Sequence, residues 1–505
     1  MKKLLFLSLI SFSTFAQTIV QTANGKVEGY AKENLRIFKG IPFAAPPVGE
    51  LRWKAPQPVK NWSDVRKSTG FSASPIQNKP APFYFWTEEF IAKPEPLSED
   101  CLYLNVWTTA KSAKEKQPVM VWIYGGGLSS GSANCDVYDG EEMSKKGVVF
   151  VSINYRVGVL GFMAHPELSK ESGYNASGNY GFLDQIAALK WVQKNIAAFG
   201  GDPTNVTILG QSAGAFSVNA MIASPLAKGL FHKAIPQSGG LLTKLLSQDL
   251  ASAEKQGTKF MELAKATSIA DLRKLSAEEI QKLSNERNLG PFGVTYDNYV
   301  LPSDILAHFK AGKHNQVPIL TGWVTGDGSF FGETKASVEE YKKEAQTQYK
   351  EKADEFLSIF PATTDEEVKV VRQKQILMRF AGLPSHLLAV YSNKPAYLYQ
   401  FSHVPPNKPN FPNYGAFHTS EVPYALHTLH TWQRPWQALD KEIENTMSSF
   451  WVNFAKTGNP NGAGLPEWKK YDKQSGNILE LGDKPVTKVG LFKKEFDFLE
   501  ANMGK

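Results

Sequence analysis

The run from Val206 to Ser217, V-T-I-L-G-Q-S-A-G-A-F-S, constrains this chain more than any other stretch. Val206 to Leu209 is β-branched and apolar, the signature of a buried strand, and it breaks at Gly210-Gln211-Ser212-Ala213-Gly214 into small residues suited to opening a helix. A chain that passes from strand to helix within five residues turns too sharply for a Cβ on either side, so glycine stands at both flanks. The strain falls on the residue between them and leaves the Ser212 hydroxyl exposed above the sheet edge. The N–H of Ala213, first in the helix, points where negative charge would gather on an attacked carbonyl oxygen. The same five residues also fit a serine in an ordinary glycine-flanked turn, so the motif needs partners elsewhere in the chain.

A reactive serine requires a base, an acid that orients the base, and donors for an oxyanion. Donors are offered by Ile123-Tyr124-Gly125-Gly126-Gly127, where consecutive glycines directly after an apolar strand let backbone N–H groups converge on one oxygen. A phosphate-binding loop would need a following Gly-Lys-Ser/Thr, which is absent. The chain order imposed by a strand–serine–helix elbow is serine, acid, histidine, so both partners are sought after Ser212. Asp327, in Gly326-Asp327-Gly328-Ser329-Phe330-Phe331, follows an apolar strand run, although an aspartate between glycines is also a common turn former. His418, in Gly415-Ala416-Phe417-His418-Thr419-Ser420-Glu421, lies on a long proline-bearing loop after another strand run. His427 and His430 follow so closely that position alone does not separate them from His418.

The rest of the chain reads as the sheet that such an elbow needs. Ile19 to Tyr30, turning at Ala23-Asn24-Gly25, forms a hairpin leading into Leu35 to Pro42; strands are expected at Leu102–Trp107, Pro118–Tyr124, Val148–Asn154, near Ala234-Ile235, Val317–Trp323 and Ala396–Phe401. A helix from Gly181, apolar at Ile186, Leu189, Val192 and Ile196, ends at Gly200-Gly201. Buried strands alternating with helices predict an α/β chain with a mainly parallel central sheet covered on both faces. Charged helical stretches, Ser247–Asn288 and Ser337–Phe380, carry capping boxes at Ser276–Glu279 and Ser337–Glu340. They read as insertions over about 240–310 and 335–390 that form a lid or wall at the sheet's active edge. No repeat or low-complexity segment divides the rest, so residues 17–505 are expected to form a single catalytic domain.

Met1 to Ala16, M-K-K-L-L-F-L-S-L-I-S-F-S-T-F-A, has a basic start, a short apolar core and a small residue before Gln17. It reads as a secretory signal peptide cleaved after Ala16, which implies a secreted or periplasmic protein without a stable membrane anchor. The formal charge is +7, and removing Lys2 and Lys3 leaves +5. Lysines and carboxylates are interspersed rather than massed, which speaks for solvated faces and against nucleic acid. Cys101 and Cys135 are the two cysteines; export permits a bridge between them, and buried free thiols fit equally well.

Several segments in order along the mature chain resemble the type-B carboxylesterases, a branch of the α/β-hydrolase superfamily that includes cholinesterases and bacterial nitrobenzyl esterases. They are Phe38–Trp53, S-E-D-C-L-Y-L-N-V-W from Ser98, Tyr124–Gly127, N-Y-R-V-G from Asn154, G-N-Y-G-F-L-D-Q from Gly178, the elbow, G-D-G-S-F-F, H-T-S-E from His418, and W-V-N-F-A-K-T-G-N-P-N from Trp451. The resemblance implies the α/β-hydrolase fold and an exported serine carboxylic-ester hydrolase acting on small-molecule esters through an acyl-enzyme, with no metal or other cofactor. It implies Ser212 as nucleophile, His418 as base, Asp327 as acid, and Gly126, Gly127 and Ala213 as oxyanion donors. Ser238 and Gln211 become residues supporting the triad, and Arg52 with Glu99 and Arg156 with Asp184 become structural ion pairs. A non-catalytic adhesion module on the same fold, and an amidase or peptidase with the same triad, are the competing readings.

Three departures from the family pattern stand out. The acid is usually Glu, one methylene longer than Asp327. Gln211 stands where many members carry Glu, which removes a negative charge beside the serine. The cysteine expected near Phe71–Gln77, partner of Cys101, is missing, so Cys101 is expected to lack the family's bridge.

Overall fold

The computed structural model describes residues 18–329 and 337–503. The expected signal peptide, and Phe330 and Phe331 of the G-D-G-S-F-F segment, lie outside the described residues. The central sheet holds β1 (Tyr30–Lys32), β2 (Leu35–Pro42), β3 (Tyr103–Thr108), β4 (Gln117–Ile123), β5 (Val149–Ile153), β6 (Gly201–Gln211), β7 (Lys233–Gln237), β8 (Ile319–Val324), β9 (Ala396–Phe401), β10 (Ile478–Leu481) and β11 (Val486–Lys488). Their spatial order is β11-β10-β9-β8-β7-β6-β4-β5-β3-β2-β1. From β10 across to β5 every neighbouring pair is parallel. The flanking pairs are antiparallel. The expected hairpin is present beside this sheet, with Ile19–Gln21 antiparallel to Lys26–Glu28.

The parallel strands are buried along nearly their whole length because helices cover both faces. Helix α1 (Tyr180–Asn195) and helix α2 (Ala213–Ala223) pack on the central strands and are joined by a Gln185 to Ser217 hydrogen bond of 2.9 Å. The long helix α3 (Ala438–Thr457) packs on β4 and β6 and reaches the end of β7 through Trp451 Nε1, which donates to Gln237 Oε1 at 3.2 Å. Helix α1 ends in a short 3-10 turn and at Gly200, whose φ of +85° is the left-handed conformation that closes a helix. Gly201, read from the sequence as part of that stop, already belongs to β6; a register irregularity between Gly201 and Val206 separates this early part of the strand from the apolar run.

The two charged stretches are helical between the strands, over Leu250–Leu263, Ile269–Lys274 and Ala277–Ser284 and then over Val338–Tyr349, Ala353–Ile359 and Asp365–Leu377. One correction applies: the first stretch begins as a strand, Ser247–Asp249, paired in parallel with Val294–Tyr296. Both expected capping boxes close reciprocally, Ser276 with Glu279 and Ser337 with Glu340.

Arg52 holds Glu99 through two hydrogen bonds of 2.7 Å, and Arg156 holds Asp184 at 2.8 and 2.7 Å with both side chains buried. Planar guanidinium–carboxylate pairing of this kind tolerates burial because both charged groups keep hydrogen-bond partners. Cys101 and Cys135 are both free and buried. The Cys101 thiol lines a small cavity with Pro75 and Ile76, side chains that cannot bridge it. Burial drives the Cys101 thiol well above its ordinary range and the Cys135 thiol up to about 12, so neither is a thiolate at neutral pH.

Candidate active site

The elbow owes its shape to two close backbone approaches. A Cβ on Gly210 would sit 2.5 Å from the Ile123 carbonyl, and one on Gly214 would sit 2.1 Å from the same oxygen. The glycines thus serve the packing of the turn against the end of β4, while Ser212 itself takes the strained conformation, φ +59° and ψ −124°. Its N–H donates to Gln237 O at 2.9 Å and its carbonyl accepts from Ala215 and Phe216, so the turn is pinned to β7 on one side and to α2 on the other.

Asp327 and His418 come from two loops that continue the parallel pairing of β8 and β9. A β-bridge joins Gly326 to Phe417, and the Gly326 N–H donates to Ala416 O at 2.9 Å. This stitching places Nδ1 of His418 2.5 Å from Oδ1 of Asp327, with both side chains buried. Asp327 is also a turn former: its N–H donates to Val324 O and its Oδ2 accepts from the Val324 N–H at 2.9 Å. The turn that the local sequence suggests and the orienting carboxylate are therefore one structure. With its Nδ1 proton toward Asp327, the imidazole keeps a lone pair on Nε2.

The ring of His418 lies against the elbow, for Nε2 of Gln211 is 3.4 Å from each of its two nitrogens. His427 and His430 are elsewhere. His427 pairs with Ser448 Oγ at 3.0 Å on α3, and His430 is exposed on a 3-10 turn.

Gly126 and Gly127, at φ +110° and +65°, are exposed beside the turn, and a Cβ on their neighbour Gly125 would meet Ser212 Cβ at 3.0 Å. Both conformations are left-handed ones that side chains avoid, and they carry the loop over the serine. The Ala213 N–H is one of the first-turn donors of α2 that the helix leaves without an internal acceptor. Ser238, at φ +55° after β7, donates its hydroxyl to Glu421 Oε1 at 3.2 Å.

Glu421 is the residue that sequence reading passed over. It is fully buried, and burial pushes its carboxyl up to about 8, with the Asp327 charge adding to the rise and the hydrogen bond from Ser238 opposing it. At neutral pH it is a protonated acid that adds no second charge behind Asp327. Its spacing in H-T-S-E, three residues after His418 and within one turn, is the only signal the sequence offers. Two aromatic rings stand edge-on to His418, Phe380 at 5.5 Å and Trp86 at 6.3 Å. Among the described residues no group of side chains could hold a metal ion, and no helix is long and apolar enough to cross a membrane.

A buried imidazole held by a carboxylate beside a serine on a strained turn is equipment for acyl transfer. The family model described as the carboxylesterase family matches residues 16–499. The chain is 35% identical to a fumonisin B1 esterase of Sphingopyxis macrogoltabida over 93% of this chain and 87% of that one. It is 33% identical to the para-nitrobenzyl esterase of Bacillus subtilis over 93% and 95% of the two chains. A solved PNB esterase superposes with a TM-score of 0.82 at 29% identity, covering 97% of this chain and 99% of that one, and shares the α/β-hydrolase fold. The chain belongs to the carboxylesterase family and is a carboxylic-ester hydrolase.

Proposed function

We propose that the protein is an exported serine esterase in which Ser212, His418 and Asp327 act as nucleophile, base and orienting acid through a covalent acyl-enzyme. The observation that carries this reading is the 2.5 Å contact between His418 and Asp327 on loops whose other neighbour is the elbow. His418 Nε2 takes the Ser212 proton as Oγ bonds to the ester carbonyl carbon, and the C=O electron pair moves to the oxygen. That oxyanion is met by the N–H groups of Gly126, Gly127 and Ala213, each contributing on the order of 10²–10³ in rate. Collapse expels the alcohol, which leaves with the proton held by His418. Water, activated by the same nitrogen, then adds to the acyl carbon, and the acid departs as Ser212 regains its proton.

Gln211 and Ser238 act as positioning residues, Gln211 against the imidazole and Ser238 by fixing the Glu421 carboxyl behind the acid. Export rests on the Met1–Ala16 pattern, and the catalytic unit spans 17–505.

The test is Ser212→Ala in the purified protein. The variant is expected to keep its far-UV and near-UV circular dichroism while losing at least ~10³ in turnover of a short-chain aryl ester. A serine-directed phosphonate is expected to label the wild type once, at Ser212. Turnover near the wild-type level in Ser212→Ala, or label at another residue, overturns the assignment.

A further inference from the structure

On the outer side of the rings that pack toward His418 lies a recess of about 330 Å³, counting its open mouth. Its walls are Phe85, Phe411, Tyr414 and Phe417, with Lys408 and Arg434 at the rim. Phe85 and Phe417 stand 4.7 Å apart, and Phe85 touches Trp86 at 4.2 Å, the ring that faces His418. Along this line two aromatic side chains, Phe85 and Trp86, stand between the recess and the imidazole. Tyr84, more than half exposed, extends the wall outward onto Tyr414 at 5.0 Å.

Neither Lys408 nor Arg434 makes an ion pair within 4 Å among the described residues. Lys408 instead lies over the Phe411 ring at 5.1 Å and Arg434 over Trp432 at 4.6 Å. Of the five guanidinium N–H donors of Arg434, the hydrogen bond it forms uses only Nη1, to Gln433 O at 3.1 Å. Glu89 is the carboxylate near enough to act on Arg434, yet it is buried and one of its oxygens accepts from the Gln433 N–H. An aromatic wall with two cations on its rim, neither in a direct ion pair, fits a ligand that is aromatic at one end and anionic at the tip.

We propose that this recess is a specificity subsite for esters carrying a carboxylate on an aryl group, remote from the scissile carbonyl. The proposal rests on the hydrolase reading above. In this reading, with the acyl carbon at Ser212, the aryl spacer must reach past Trp86 and Phe85 for its carboxylate to meet Lys408 and Arg434. Because the charges meet away from the reacting atoms, they hold substrate and transition state alike, so the effect falls on KM and not on kcat.

The test compares benzyl butyrate with 4-carboxybenzyl butyrate, followed by pH-stat. Wild-type protein is expected to show a KM about tenfold lower for the carboxylated ester at low salt. The gap is expected to close near about 0.5 M NaCl as the rim charges are screened. The double variant Lys408→Gln/Arg434→Gln is expected to lose the preference while its kinetics on benzyl butyrate stay unchanged. Calorimetric binding of the carboxylated ester to Ser212→Ala protein, with and without the two rim substitutions, reads the subsite without turnover. Equal KM values in the wild type, a preference that survives the double variant, or binding indifferent to the rim substitutions overturns the subsite. Rim-dependent binding without hydrolysis of either ester by the wild type would instead remove the hydrolase reading and leave the subsite standing.

Discussion

Asp327 meets His418 at 2.5 Å while its other carboxylate oxygen is tied to the Val324 backbone, so one side chain both closes a turn and aims an imidazole. The shorter acid relative to the usual family Glu is accommodated by the loops themselves, since the Gly326–Phe417 bridge draws the two backbones together.

This arrangement separates two substitutions that look alike on paper. Asp327→Asn keeps volume and the Val324 bond but offers Nδ1 the wrong partner, so kcat is expected to fall by ~10³–10⁴ with little change in melting temperature. Asp327→Glu adds a methylene where no solvent reaches, and overpacking is expected to cost about 1–3 kcal/mol of stability. Thermal melts alongside ester kinetics check both; an Asn variant with wild-type kcat would remove Asp327 from the mechanism.

Gln211→Glu would set a carboxylate at the position now 3.4 Å from both nitrogens of His418. A negative charge there favours the imidazolium over the neutral ring. Since the proposed base must be neutral to accept the Ser212 proton, the acidic limb of the pH–kcat/KM profile is expected to move to higher pH. The measurement is that profile between pH 5 and 9 for both proteins, and superimposable limbs would count against the contact.

Much of this site could be read from the chain because its parts are local. The elbow, the glycine run and the strand Ala396–Phe401 each announce themselves within a few residues, and that strand has the limits expected of it. The choice of His418 over His427 and His430 needed either the family resemblance or the Gly326–Phe417 bridge, which no local pattern encodes. The edge strand Val486–Lys488 and its neighbour Ile478–Leu481 went unread because runs of three or four residues are too short to register a period. Glu421 was missed for a different reason. Its protonation follows from burial and from the charge of Asp327, which come from separate places in the chain and outweigh the hydrogen bonding that favours the ionised form.

The buried pair Arg156–Asp184 tethers the start of the segment after β5 to α1, with the Arg156 N–H as a third bond at 3.1 Å to the same carboxylate. Asp184→Asn would leave a buried guanidinium without its counter-charge and is expected to cost about 3–5 kcal/mol. Urea unfolding measures it. The Arg52–Glu99 pair is open to water at its edge, and Glu99→Gln is expected to cost less.

Glu421 makes the last prediction, in which the sign follows from linkage. Its carboxyl titrates at about 8 in the folded protein against the ordinary 4.5, so the folded chain holds a proton that the unfolded chain releases between those values. Stability contributed by that proton is fully present below about pH 4.5 and declines as pH rises toward 8, at up to about 1.4 kcal/mol per pH unit. Glu421→Gln keeps a neutral, hydrogen-bonding side chain of similar shape at every pH. Its melting temperature is therefore expected to match the wild type near pH 5 and to exceed it increasingly toward pH 8. Above that, ionised Glu421 would place a second negative charge behind Asp327, and wild-type activity is expected to decline at an alkaline limb that the Gln variant lacks. Parallel melting curves for the two proteins from pH 5 to 9 would show that Glu421 does not change its charge in this range.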